Sequence, residues 1–163
     1  MQNSILKKMS MAERQRDANW AMNEFADAEY AFLAVNGEDG YPYNVPLCVF
    51  RVDDSLYFHT ALNWHLNDLL KQNVRVCVTC VNYAERDPEN TTMRYRSAMA
   101  FGEVELIEDK QEKMRIFKAF FSKFLPENPK EDYYLDRIST IALLYRIRIE
   151  AAIGKESLPE KQM

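Results

Sequence analysis

Residues 140–152 alternate with a period of two. Ile141, Leu143, Tyr145, Ile147 and Ile149 fall on one face, and Ala142, Leu144, Arg146, Arg148 and Glu150 on the other, which predicts a strand. Residues 11–29 instead repeat Ala18, Ala21, Met22, Phe25 and Ala28 at spacings of three and four, the pattern of a helix with one buried face. Residues 30–36 are apolar and strand-like, and Gly37, Glu38, Asp39 and Gly40 supply turn chemistry for a hairpin. The strand returning over 42–52 carries Pro42 and Pro46. Proline donates no ladder hydrogen bond, so an edge or a bulge is expected there. Asp53, Asp54 and Ser55 then turn the chain into a short aromatic strand at 56–60.

Asn63 is placed to cap a helix whose Leu66, Leu69 and Leu70 share one face, and Asn73 to end it. Residues 74–82 read as the next strand, 83–92 as a polar loop with Asp87 and Pro88 as its turn signal, and 94–107 as a long strand broken at Gly102. Asp109 and Glu112 resemble a capping box. They open a helix with an apolar stripe of Met114, Phe117, Phe121 and Phe124, read as core, which Pro126 and Pro129 end. Residues 131–139 read as a short helical turn.

About six strands, with helices outside a strand–helix–strand rhythm, predict a mainly β, α+β fold. The expected form is an antiparallel barrel with flanking helices. One domain over 1–163 is expected, with 1–10 loosely ordered, 11–29 an N-terminal helix and 30–156 the barrel core. No GxGxxG or GxxxxGK[ST] phosphate loop is present.

Composition narrows the function classes. A net charge of −4 and a pI near 5.3 lack the basic stripe of a nucleic-acid surface. No apolar run approaches the roughly 18 residues that would span a bilayer, and no apolar stretch follows Lys7 and Lys8 as in a secretory signal. A cytoplasmic protein without membrane or nucleic-acid partners is expected. Cys77 and Cys80 have CxxC spacing, but on a strand residues three apart face opposite sides, so the pair reads as structural rather than as a metal or redox site.

Both histidines, His59 and His65, fall between the end of the aromatic strand and the start of the following helix. That placement suggests a ligand site, with His65 the candidate proton donor. His59 can pack structurally or touch the ligand. Arg96, in a strand of small and apolar residues, reads as a fork onto phosphate, or else as part of an exposed strand face or an intersubunit salt bridge. Arg146, Arg148 and Glu150 read as a charge ladder.

Three blocks now carry a resemblance. The first is Gly40 to Pro46 (GYPYNVP), followed by Leu56 to Ala61 (LYFHTA) and His65. The second is Thr91 to Gly102, with its Arg96-Ser97 pair. The third is Ile149-Glu150 with Gly154, Lys155 and Glu156. In this order and spacing, over about residues 30–156, they resemble the FMN-binding split β-barrels related to pyridoxamine 5′-phosphate oxidase. Among these the chain looks most like the nitroimidazole-resistance (Nim-like) branch.

The resemblance implies a homodimer holding FMN at the subunit interface. Asn44, Val45 and Pro46 would line the isoalloxazine, His59, Thr60 and Ala61 would wrap the cofactor at the strand end, and Arg96 and Ser97 would lie near it. His65, Leu66 and Lys155 complete the implied cofactor contacts. Members commonly carry a lysine at the position of Leu66. The implied activity is FMN-dependent reduction of a small acceptor, with NADH or NADPH as electron donor, and the acceptor could include the nitro group of a 5-nitroimidazole. The alternatives are a flavin- or haem-binding protein without efficient turnover, where haem would draw on His59 or His65, and a cofactor-free interaction protein.

Overall fold

A computed structural model describes residues 5–157 of the chain. Among these, eight strands form one antiparallel sheet. They are β1 (Gln15–Arg16), β2 (Ala31–Asn36), β3 (Pro42–Leu47), β4 (Phe50–Val52), β5 (Ser55–Ala61), β6 (Arg75–Asp87), β7 (Thr92–Ile107) and β8 (Ala142–Ser157). The strand order is β3-β2-β6-β7-β8-β5-β4, with β1 on β8. β3 and β4 lie at opposite ends of that order, yet only Cys48 and Val49 separate them in the chain. The sheet therefore curls round as a barrel. Four helices flank it: α1 (Ala18–Asp27), α2 (His65–Gln72), α3 (Lys110–Phe124) and α4 (Glu131–Ile141).

The core has two parts. Leu33, Val35, Phe58, Val78 and Ile147 fill the barrel together with Leu66, Leu69 and Leu70 of α2. A second cluster joins Phe50, Tyr57 and Leu144 to Ile116, Phe117 and Phe121 of α3 and to Leu135 and Ile138 of α4. β5 separates the two, because alternate side chains of a strand point to opposite faces. Leu56, Phe58 and Thr60 look into the barrel, while Tyr57 and His59 look towards α3.

The alternating strand forms from Ala142 onward, with Thr140 and Ile141 belonging to α4, and the leucine face of α2, its end at Asn73 and the Phe117/Phe121 stripe form as the patterning predicts. Asp109 caps α3 by accepting a 2.7 Å hydrogen bond from the Glu112 N–H. Six expectations need correction. The helix expected over 11–29 starts only at Ala18, where Asp17 accepts from the Trp20 N–H at 2.8 Å. Gln15 and Arg16 instead pair with Lys155 and Gly154, covering the end of β8 that extends past β5 and would otherwise be an open edge. The 42–52 strand divides into β3 and β4, and Pro42 and Pro46 lie on β3, an end strand of the order, as expected for proline. These two changes raise the expected six strands to eight.

The polar loop expected over 83–92 is mostly hairpin: β6 runs on to Asp87 past a register shift between Val81 and Tyr83. Its polar side chains pair across the ladder, with Arg94 donating to Asp87 at 2.6 Å. Such pairs support strands that bury no apolar face. The turn expected over 131–139 is a full helix, since Leu135 and Ile138 find the second cluster. Trp64, not Asn63, precedes α2 as its N-cap, and no side chain caps that end. The loose order expected over 1–10 lies outside the described residues for 1–4; residues 5–10 carry no helix or strand.

Candidate functional site

Register shows which candidate residues share a surface. Pro46 lies opposite Phe32, Phe32 opposite Thr79, Thr79 opposite Met99, and Met99 opposite Ile153. Two residues along, the row is Asn44, Ala34, Cys77, Phe101 and Ala151. Two residues the other way it is Val81, Ser97, Lys155 and Gln15. Directly opposed residues lie on one side of a sheet, so Asn44, Pro46, Ser97 and Lys155 share the outer face of the barrel. That face is apolar and open: Phe32 is 46%, Val81 54% and Met99 38% exposed. Lys155 places its Nζ 5.3 Å from the centre of the Tyr95 ring.

Three candidates face inward. Val45 packs against the barrel core, and Thr60 and Leu66 are 1% and 0% exposed. The side chains of Thr60 and Leu66 are thus closed to the outer face, and Val45 is partly buried. Thr60 is buried because Asn67, a residue the sequence reading missed, receives it. Thr60 Oγ1 donates to Asn67 Oδ1 at 2.6 Å, and the Tyr145 hydroxyl donates to the same oxygen at 3.3 Å. Asn67 Nδ2 in turn donates to the Ala61 and Leu62 carbonyls at 2.9 and 3.0 Å. The signal was present: Asn67 is a polar residue inside the apolar Leu66–Leu70 stretch.

His65 is exposed in the first turn of α2, edge-on to Tyr43 with ring centroids 5.8 Å apart. It borders a cavity of about 280 Å³ with Tyr41, Pro42 and Leu69. The uncapped helix end beside it offers N–H groups and a positive dipole end to an anion.

His59 and Arg96 do not join this group. His59 faces α3, with ring centroids 5.5 Å from Phe117 and 4.8 Å from Phe120, and together with Ala61 it lines a separate cavity of about 440 Å³. Burial holds its imidazole below the usual histidine range, and its Nδ1 is buried without a hydrogen-bond partner. Arg96 lies 3.8 Å from the buried Glu24 of α1, whose carboxylate also accepts from Asn82 Nδ2 at 2.9 Å. Arg96 is thus paired within its own chain rather than across subunits, and it is turned away from its neighbour Ser97. Arg146 pairs with Glu105 and Glu112, and Arg148 with Glu103 and Glu105, so the charge ladder runs across to β7 and α3 rather than along to Glu150. Cys80 is structural, its thiol pushed up to about 12 by burial.

The donor set fits a flavin unevenly. A flat apolar wall edged by Asn44, Ser97 and Lys155 suits an isoalloxazine, which needs a nonpolar surface and a few polar edge contacts. For the phosphate, Leu66 offers no cation; Lys155 is the cation on the outer face, while His65 and the α2 N–H groups stand apart beside Tyr43.

Comparison with known proteins bears on the fold and the family. A search of curated proteins found no match. Among solved structures, a candidate 5-nitroimidazole antibiotic resistance protein from Bacteroides thetaiotaomicron superposes with a TM-score of 0.72 at 23% identity, over 86% of this chain and 84% of that one. The flavocytochrome Anf3 from Azotobacter vinelandii gives 0.69 at 20% identity, over 95% and 76%. The FAD and heme binding protein from Mycobacterium smegmatis gives 0.68 at 21% identity, over 90% and 74%. At such identities these likenesses establish the split-barrel fold alone. The model of the pyridoxamine 5′-phosphate oxidase family matches residues 18–156, and the chain belongs to that family.

Proposed function

We propose that this protein is a homodimeric, FMN-dependent oxidoreductase that reduces a small acceptor, with the nitro group of 5-nitroimidazoles the first substrate class to test. The observation that carries the reading is the outer face, where Asn44, Pro46, Ser97 and Lys155 surround an exposed apolar strip centred on Phe32 and Met99. An apolar surface of this kind on a folded chain marks an interaction site, and a second copy laid on it would enclose a flavin. When bound, the flavin supplies the electron transfer, passing electrons from NADH or NADPH to an acceptor whose nitro oxygens leave as water. The protein's own part is to hold and shield the ring with Pro46, Phe32 and Met99. Asn44 and Ser97 hydrogen-bond its edge, and His65 carries protons from solvent through its imidazole N–H.

The test is the absorption spectrum and sedimentation of the purified protein, followed by anaerobic reduction with NADH or NADPH and addition of a 5-nitroimidazole. A dimer with flavin bands, reoxidised by the nitro compound, is expected. Failure to take up FMN on reconstitution overturns the reading. A second reading, a flavin or haem carrier without efficient turnover, is favoured by the buried Leu66. Flavin that no nicotinamide reduces, or a Soret band on adding haem, would support it instead.

A further inference from the structure

The cavity behind β5 has no part in the reading above. Its floor is His59, its walls include Phe117, Phe120 and Ile138, and Asn128 and Tyr134 add two more polar side chains. At about 440 Å³ it falls within the roughly 300–1,000 Å³ of small-molecule sites. It lies between β5 and the α3–α4 pair, whereas the outer face is formed by β3, β2, β6, β7 and β8. A buried polar atom without a partner is uncommon in a folded protein and calls for a reason. Here it is Nδ1 of His59, whose ring lies tilted against Phe117 and edge-on to Phe120.

We propose that this cavity is a second ligand site, separate from the flavin face, and that it takes a small neutral aromatic molecule hydrogen-bonded to the His59 imidazole. Three features select that class. The aromatic walls favour a flat ring packed edge or face on. Among the described lining residues none is Lys, Arg, Asp or Glu, so a charged ligand would enter without a counter-charge. A neutral imidazole carries one donor and one acceptor nitrogen, which matches a phenol or an N-heterocycle. Burial keeps His59 in that neutral form.

The experiment is an NMR titration of the full chain, labelled in the rings of its two histidines. Naphthol and benzimidazole serve as neutral probes and naphthoate as the charged counterpart. Saturable shifts of the His59 signals are expected with at least one neutral probe, with those of His65 unmoved and naphthoate at least about tenfold weaker. Leu125 lines the cavity yet is 47% exposed, so Leu125→Trp obstructs it without disturbing the core. Leu125→Trp and His59→Gln should each weaken the probe by about tenfold or more. No saturable shift at His59 with either neutral probe, equal shifts at both histidines, or naphthoate binding as tightly as naphthol overturns the proposal. So does FMN that moves the His59 signals and leaves those of His65 in place. A protein that binds no flavin at all leaves this result untouched, so the two readings fail separately.

Discussion

Thr60 Oγ1 and Asn67 Oδ1 lie 2.6 Å apart, and their hydrogen bond ties the end of β5 to α2. Both residues are buried, and the Asn67 amide also holds the Ala61 and Leu62 carbonyls of the intervening turn. Asn67 therefore sets where His65 stands, although it touches no outer surface itself.

Replacing Asn67 with Ala leaves two hydroxyl donors and two carbonyls without their partner. Each unsatisfied buried group costs about 1–3 kcal/mol, and some will find water. A net loss of roughly 3 kcal/mol in urea denaturation is expected, with Thr60→Val losing only about 1 kcal/mol. A loss below about 0.5 kcal/mol for Asn67→Ala would show that the network contributes nothing.

Gly154 is required by the approach of α1. A Cβ there would lie 2.2 Å from Trp20 Cε3, 2.4 Å from Cζ3 and 3.0 Å from Arg16 Cβ. Gly154→Ala should cost about 1–3 kcal/mol through overpacking. In a Trp20→Ala background the same change should cost much less, since the clashing ring is gone. Equal costs in the two backgrounds would move the cause away from Trp20.

His59 couples stability to acid. Its folded pKa lies below the ordinary histidine value of 6.5 because burial disfavours the charged ring. As pH falls through 6.5, the unfolded chain takes up this proton first, so stability is lost from there down to the folded pKa and is fully present above 6.5. Unfolding free energy followed from neutral pH downward should fall less steeply in His59→Gln than in the native protein. Identical slopes would remove His59 from the acid response.

Phe32 sits at the centre of the apolar strip, 46% exposed. Phe32→Asp should leave the monomer's stability within about 1 kcal/mol while weakening self-association by about tenfold or more, as read by sedimentation. Flavin retention should fall with it. A Phe32→Asp protein that stays dimeric would place the dimer interface elsewhere.

Much of the fold was legible in the chain because it rests on local periodicity and caps. The alternation across 140–152, the leucines of α2 and Asp109 before α3 each act within a few residues. What was misread depends on distant partners. Gln15 and Arg16 extend only because β8 outruns β5, and the 83–92 segment pairs although its side chains are polar, since Arg94 meets Asp87 across the hairpin.

The site divides in the same way. The resemblance alone joined Asn44 and Pro46 to Ser97, far along the chain. Their common surface exists only because the register runs from β3 through β2 and β6 to β7. By itself the sequence determined most of the elements, the family motifs and which residues alternate, because those follow from a period of two or 3.6 along one chain. Only the tertiary structure decided that His59 turns to α3 while His65 turns to solvent, and that Arg96 spends its charge on Glu24. Those outcomes depend on which helix covers which face, and on a buried carboxylate that could not remain unpaired.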